Sequence, residues 1–83
     1  MLYLRGVGNR PAHELVTENL RRLTEAKGMP LTVVADQAGI DRRQLFAMMA
    51  GEYDADLDWL NKLAEVLDVH VSEFLVDNMR NRN

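Results

Sequence analysis

The connection between two helical segments is only three residues long, and this feature most constrains the fold. The segments are "LTVVADQA" at residues 31–38 and "RRQLFAMMA" at residues 42–50, with Gly39, Ile40 and Asp41 between them. Glycine ends helices in the left-handed conformation, and aspartate is a favourable N-cap for the helix that follows. A connection this short, containing a glycine, predicts two consecutive helices that cross at a sharp angle, the helix-turn-helix arrangement.

Helical signals continue on both sides of this pair. The first predicted helix has Pro11 at its first position, Asn9 or Arg10 as its cap and Gly28 as its stop. The fourth follows Asp56 as its N-cap and has leucines at helical spacing. The predicted helices span residues 11–27, 31–38, 42–50, 57–68 and 71–80. Five short helices joined by connections of a few residues predict an all-α fold.

The length and the two ends of the chain indicate its organisation. A chain of 83 residues is long enough for one domain with a small core. Residues 1–10 contain two glycines and no helical period, which predicts an N-terminal arm or a short strand. We expect the helical domain at residues 11–78 and a polar tail at residues 79–83. No apolar run is long enough to span a bilayer and no signal peptide is recognisable, so we expect no membrane association and a cytoplasmic protein.

The charges are distributed unevenly along the chain. The net charge of −3 argues mildly against nucleic acid as a partner, because phosphate contacts need lysine and arginine. However, residues 1–43 carry seven Lys/Arg against five Asp/Glu, whereas residues 44–83 carry three against eight. A surface that faces DNA is therefore expected to come from the first half of the chain.

The third predicted helix has two different faces. At 100° per residue, Leu45 and Met48 fall together on one side, which we expect to face the core. The opposite side carries Arg43, Phe46, Ala47 and Ala50, with Arg42 beside them. Arginine in a first turn is unfavourable for the helix dipole, so local stability does not explain the arginine pair. Two hypotheses remain, namely a solvated helix start and a helix that places guanidinium groups on base edges or phosphates in the major groove.

Residues 16–76 resemble the phage-repressor (Cro-like, XRE) helix-turn-helix family. The matching positions are Leu20, Leu23, Gly28, Val34, Ala35, Ala38, Gly39, Ile40, Leu45, Met48 and Gly51, followed by "LDWLNKLAEVLDV" and "EFL". The resemblance implies a five-helix, lambda-repressor-like domain that binds double-stranded operator DNA, usually as a homodimer, and regulates transcription. Repressors, restriction-modification controllers and antitoxins all fit a chain of this size.

The resemblance also implies the site residues. Those expected to read bases are Arg42, Arg43 and Ala47, with Gln44 and Phe46 flanking them. Those expected to contact the DNA backbone are Arg21, Arg22, Lys27 and Thr32. The residues expected at a dimer interface come from the sequence itself. The last helix has more apolar surface than Phe74 alone needs, which predicts an interface at Leu75, Val76 and Met79, with Trp59 nearby in sequence, and the arm "MLYLRGV" can add a strand to its mate. For Trp59, packing against the arm or a second subunit and simple partial exposure remain alternatives.

The sequence departs from the family at several positions near the expected interface. Leu31 stands where the family commonly has a glutamine, and Val33 stands where it is usually charged. The loop after the third helix carries the acidic residues Glu52, Asp54 and Asp56. These changes remove phosphate contacts and add like-charge repulsion.

The same departures support an alternative function, a protein-interaction module that keeps the fold but binds DNA weakly or not at all. Leu31, Val33, Phe46 and Met49 are apolar where the fold would leave them partly exposed. A protein partner is then expected in place of DNA. Salt-dependent binding to random duplex DNA distinguishes the two functions.

Catalytic and metal-binding residues are scarce. Ser72 is the only serine, His13 and His70 are the only histidines, and there is no cysteine. His70 lies at a helix entry, where a capping or surface role is expected rather than a catalytic one, and no pair of histidines has metal-ligand spacing on one helix. We therefore expect no enzymatic activity, no cofactor and no metal.

Overall fold

The structure, a computed structural model, describes residues 6–7 and 10–77. Its elements are β1 (Gly6–Val7), β2 (Arg10–Pro11), α1 (Ala12–Lys27), α2 (Leu31–Ala38), α3 (Arg42–Met49), α4 (Leu57–Leu67) and a 3-10 helix (Val71–Leu75). The two strands are only two residues long each, so helices make up nearly all of the regular secondary structure of the described chain. Within these residues, no helix has the length and apolar character needed to cross a membrane.

α1 begins one residue later than predicted. Pro11 is extended, with φ −61° and ψ 146°, and it pairs with Gly6 in an antiparallel two-stranded ladder. Because Pro11 belongs to this ladder, it is the N-cap and Ala12 is the first helical residue, so the prediction of a cap at Asn9 or Arg10 was wrong. The predicted stop is confirmed, since Gly28 has φ 65° and its N–H donates to the carbonyl of Glu25 at 3.1 Å.

The pair α2 and α3 is arranged as predicted. α2 has the predicted bounds, and Gly39 follows it with φ 73°. Ile40 is buried and its N–H donates to the carbonyl of Ala35, while the carboxylate of Asp41 accepts from the N–H of Arg43 at 2.7 Å. α3 ends at Met49, one residue earlier than predicted.

The core lies between α1, α2, α3, α4 and the 3-10 helix. α1 packs against α3 and the 3-10 helix, and α2 packs against α4. The fully buried large side chains are Leu15, Val16, Asn19, Leu20, Val34, Leu45, Met48, Leu60, Leu63, Leu67 and Phe74. The predicted inward positions Leu45 and Met48 are therefore confirmed.

The predicted fifth α-helix is replaced by a single short 3-10 helix. Val71–Leu75 forms this helix, and Val76 after it is extended, with φ −69° and ψ 128°. The buried amide of Asn19 explains the difference, because its Nδ2 donates to the carbonyls of Phe74 at 3.0 Å and Val76 at 2.7 Å. Because these two carbonyls accept hydrogen bonds from Asn19, which belongs to α1, the segment that contains them is held against α1. The all-α class is correct, but the five-helix count was wrong, since residues 6–7 and 10–77 contain four α-helices and a 3-10 helix.

Trp59 is buried within its own domain. Only 6% of it is exposed, it belongs to the core cluster, and its ring lies 5.4 Å from that of Tyr53 in a tilted arrangement. The prediction of partial exposure was therefore wrong. The placement of Trp59 at a dimer interface is not supported either, because its own domain already covers the ring.

Candidate nucleic-acid interface

α3 is held from one side and exposed on the other. Leu45 and Met48 anchor it, at 0% and 1% exposure. The opposite face carries Arg43 and Phe46, both exposed, and 46% of the phenylalanine is accessible. A helix of eight residues that shares its inner face with the core and leaves this outer face free has the size and shape of an element that enters the major groove.

The remaining predicted base readers lie on the same helix but differ in exposure. Arg42 is exposed at the first position of α3, whereas Gln44 and Ala47 are half-buried. Gln44 lies close to the direction of Met48 on the helix wheel, at the edge of the core-facing side. Ala47 adds little bulk, so the helix backbone can come close to a partner at that position.

Arg42 is bound by an aspartate that the sequence reasoning did not single out. Its Nε donates to Oδ1 of Asp36 at 3.0 Å, and its Nη2 donates to Oδ2 of Asp36 at 2.6 Å. Asp36 lies in the last turn of α2, so this two-point ion pair spans the turn between the helices. The signal was present in the sequence, because a three-residue turn brings the end of one helix close to the start of the next.

The ion pair affects the charge of both groups. The hydrogen bonds from the Arg42 guanidinium lower the pKa of the Asp36 carboxyl below its usual value. The same hydrogen bonds raise the pKa of Arg42. Both side chains are thus charged at neutral pH, and together they contribute no net charge to the surface of α2 and α3.

Arg43 has a different environment from Arg42. Its backbone N–H is capped by Asp41, but its guanidinium makes no hydrogen bond or ion pair with any residue in 6–7 or 10–77. Arg43 is also exposed. It is therefore an arginine of α3 whose full positive charge is available to an anionic partner.

The predicted phosphate contacts are distributed over α1 and the start of α2. Arg21, Arg22 and Lys27 are exposed, and Thr32 is half-buried. Arg22 already has partners, since its Nη2 donates to Oδ1 of Asn19 at 3.1 Å and lies 3.4 Å from Oε1 of Glu73. These contacts help to attach the C-terminal segment to α1. As phosphate contacts, Arg21, Arg22, Lys27 and Thr32 all stay predictions.

The acidic loop between α3 and α4 has mainly local roles in the structure. The carboxylate of Asp56 accepts from the N–H of Trp59 at 2.8 Å and so caps α4. Glu52 and Asp54 are exposed. In the part of the chain that the structure describes, no group of histidine, aspartate or glutamate side chains is arranged to hold a metal ion.

The remaining predicted dimer residues lie near the C-terminal end of the described chain. Leu75 is half-buried and packs against the core cluster. Val76 is also half-buried but is not part of that packing. Met79 and the predicted tail lie outside the described residues. Of the arm segment expected to pair with a second copy, residues 1–7, residues 6–7 pair with residues 10–11 of the same chain, and residues 1–5 lie outside the described residues.

A helix presented by a three-residue turn, with arginines at its exposed start, defines a helix-turn-helix domain of the DNA-binding class. The model of the helix-turn-helix family HTH_3 matches residues 20–74, more than half of the chain, and the chain belongs to this family. Members of this XRE-type family are DNA-binding regulators rather than enzymes. No curated protein matches the chain.

Two solved structures are similar to the chain. One is a hypothetical transcription factor, NHTF, from Neisseria, with a TM-score of 0.76 and 23% identity over 83% of this chain and 79% of that chain. This likeness concerns the fold. The other is the restriction-modification controller protein C.AhdI from Aeromonas hydrophila, with a TM-score of 0.68 and 29% identity over 75% of this chain and 94% of that chain.

Proposed function

We propose that this protein is a sequence-specific transcriptional regulator that inserts α3 into the major groove of an operator. The observation that carries the proposal is the two-sided character of α3, with Leu45 and Met48 in the core and the Arg43 guanidinium and Phe46 ring exposed. The likeness to a restriction-modification controller protein supports a regulator of the controller type.

The side chains of α3 suit different features of a base pair. An arginine donates two hydrogen bonds to O6 and N7 of guanine, and a glutamine pairs with N6 and N7 of adenine. Arg42 and Arg43 are the candidates for guanine, and Gln44 is the candidate for adenine. An apolar side chain contacts the methyl group of thymine, which fits the exposed ring of Phe46. Ala47 allows the helix to lie close to the bases.

The proposal includes a homodimer on a two-fold symmetric operator. One eight-residue helix next to an acidic loop offers few contacts, and two copies separated by about 34–36 Å, one turn of DNA, double them. The half-buried apolar side chains of Leu75 and Val76 support an interface at the C-terminal end of the domain.

Selection of bound duplexes from a random pool tests the proposal. The expected result is an enriched motif with two equivalent half-sites, bound with an affinity that falls steeply as salt is added. Recovery of no sequence above background, together with no binding at low salt, would exclude the regulator function.

A protein-interaction module remains the second candidate because of one observation. Val33, Phe46 and Leu57 are large apolar side chains with 36%, 46% and 61% exposure, and Arg42 is neutralised by Asp36. Apolar side chains that remain exposed favour a protein surface as the partner. Under this function, the chain would not bind duplex DNA even at low salt, which the same selection detects.

A further inference from the structure

We propose that Asp36 is a positioning residue that orients Arg42 to read one guanine of the operator. This inference rests on the proposed function and adds a division of roles between the two adjacent arginines of α3. Arg42, held by Asp36, supplies base selectivity, while the unpaired Arg43 supplies the greater part of the charge attraction that α3 exerts on DNA.

The geometry of the guanidinium group leaves a suitable edge free. A guanidinium has five N–H donors in a rigid plane. The carboxylate of Asp36 occupies the side edge, formed by Nε and one hydrogen of Nη2. The end edge, formed by the second hydrogen of Nη2 and one hydrogen of Nη1, remains available. This is the edge that can reach O6 and N7 of a guanine at once.

The ion pair also fixes where that edge points. Arginine has a long side chain that loses much rotational freedom when it is immobilised in a complex. Here Asp36 belongs to α2, which packs against α4, and Arg42 begins α3, so two anchored helices hold the two partners. The guanidinium is therefore oriented before DNA arrives, and less freedom is lost on binding.

The charge of the pair makes Arg42 a poor general phosphate ligand. The carboxylate of Asp36 cancels the guanidinium charge and would itself repel a nearby phosphate. The side chains of Arg42 and Asp36 are 56% and 53% exposed, so water weakens their attraction in the free protein. When DNA excludes water from around the ion pair, the attraction between Arg42 and Asp36 becomes stronger. Arg42 is thus better suited to a base edge than to the sequence-independent attraction.

The test compares Asp36→Ala with the wild type on the selected operator and on operators with each base pair replaced. The expected result has two parts. Preference for guanine at one position falls by about tenfold, within the range of a single bidentate contact. Affinity for random duplex rises at low salt, and its salt dependence becomes steeper by about one ion, because Arg42 is no longer neutralised.

Two further variants separate positioning from charge. Asp36→Asn keeps the shape of the side chain and one acceptor oxygen but removes the charge, so part of the guanine preference should return. Arg42→Ala should lose preference at the same base pair and, because it leaves the Asp36 carboxylate unpaired, should also weaken binding to random duplex at low salt, the opposite of the effect of Asp36→Ala. In an Arg42→Ala background, adding Asp36→Ala should then have no further effect on that preference.

The outcomes distinguish the inference from the proposed function. A wild type that selects an operator, together with an Asp36→Ala variant of unchanged guanine preference, would overturn the role of Asp36 and leave the regulator function standing. A wild type that selects no duplex would overturn both. Asp36 and Arg42 are exposed, so all variants should melt as the wild type does, and circular dichroism verifies that they are folded.

Discussion

Trp59 has the largest side chain in the core cluster, and one of its polar atoms is buried without a partner. Its indole Nε1–H makes no hydrogen bond within the described residues, although its ring packs against Tyr53. A buried donor without an acceptor lowers the stability of the folded state by about 1–3 kcal/mol relative to a satisfied one. The indole therefore stabilises the core by its apolar area and destabilises it through one nitrogen.

We expect Trp59→Phe to change the free energy of unfolding by less than about 1.5 kcal/mol, because losing apolar contact is offset by losing the unpaired donor. Trp59→Ala should lower the free energy of unfolding by about 3–5 kcal/mol. Urea denaturation followed by circular dichroism measures both values. If Trp59→Phe lowered the free energy of unfolding as much as Trp59→Ala does, removal of the unpaired donor would not offset the lost apolar contact.

Arg43 provides the second prediction at the scale of single residues. Because its guanidinium is unpaired within the described residues, Arg43→Ala should weaken binding to the selected operator and to random duplex by similar factors, and it should lower the salt dependence of binding by about one ion. Fluorescence anisotropy at several salt concentrations measures both effects. Lys62→Ala is the matched control, since Lys62 is an exposed cation on α4. Loss of preference at a single base pair in Arg43→Ala would instead assign Arg43 a base contact and contradict its role in charge attraction.

The turns on the two sides of α3 are formed by glycines in the left-handed conformation with different surroundings. Gly39 has φ 73°, and a β-carbon added there would meet no atom within 4 Å. Gly51 has φ 81°, and its β-carbon would lie 2.9 Å from Cε1 and Nε2 of His13. The backbone strain is similar at the two sites, but only Gly51 is in close contact with another element, α1.

We therefore expect Gly39→Ala to lower the free energy of unfolding by about 1–2 kcal/mol, the strain of an L-residue in this conformation. Gly51→Ala should be more destabilising, because the ring of His13 must also move. Replacing His13 by alanine in the Gly51→Ala background should restore the cost to that of Gly39→Ala. Thermal unfolding of the four proteins tests this, and equal destabilisation by the two glycine replacements would show that the imidazole moves aside freely.

Local signals in the sequence predict the elements around α3 well. Gly39, Asp41 and Asp56 act through groups within a few residues, so α2, the turn and the start of α4 could be predicted from neighbouring positions. The end of the domain could not. The 3-10 helix and the extended segment after it depend on Asn19, which is 57 residues from Val76 in sequence, and no local pattern contains that contact.

The candidate interface shows the same limit for side chains. The helix wheel predicts that Leu45 and Met48 face inward and that Arg43 and Phe46 face outward, and the structure confirms this. A wheel for one helix does not contain the partner on another, so it treats Arg42 and Arg43 alike. Only the packing of α2 beside α3 distinguishes them, through the contact with Asp36.

At the scale of the whole molecule, the proposed function requires a second copy, and Val76 offers a way to test for it. Its side chain is half-buried and lies outside the packing of the core, and its carbonyl, which accepts from Asn19, is unaffected by a change of side chain. Val76→Glu should therefore separate a dimer without unfolding the domain. Leu75 is less suitable, because it packs against the core.

We expect the wild type to sediment as a dimer at micromolar concentration and Val76→Glu to sediment as a folded monomer that binds the operator much more weakly. The weaker binding follows because each half-site alone supplies few contacts, and joining two of them raises the affinity through effective concentration. Leu57→Glu is the matched control, since Leu57 is 61% exposed at the start of α4, and it should remain dimeric. A wild type that is monomeric both alone and on the selected operator would contradict the dimer, whereas dissociation by both variants would place the interface elsewhere on the domain.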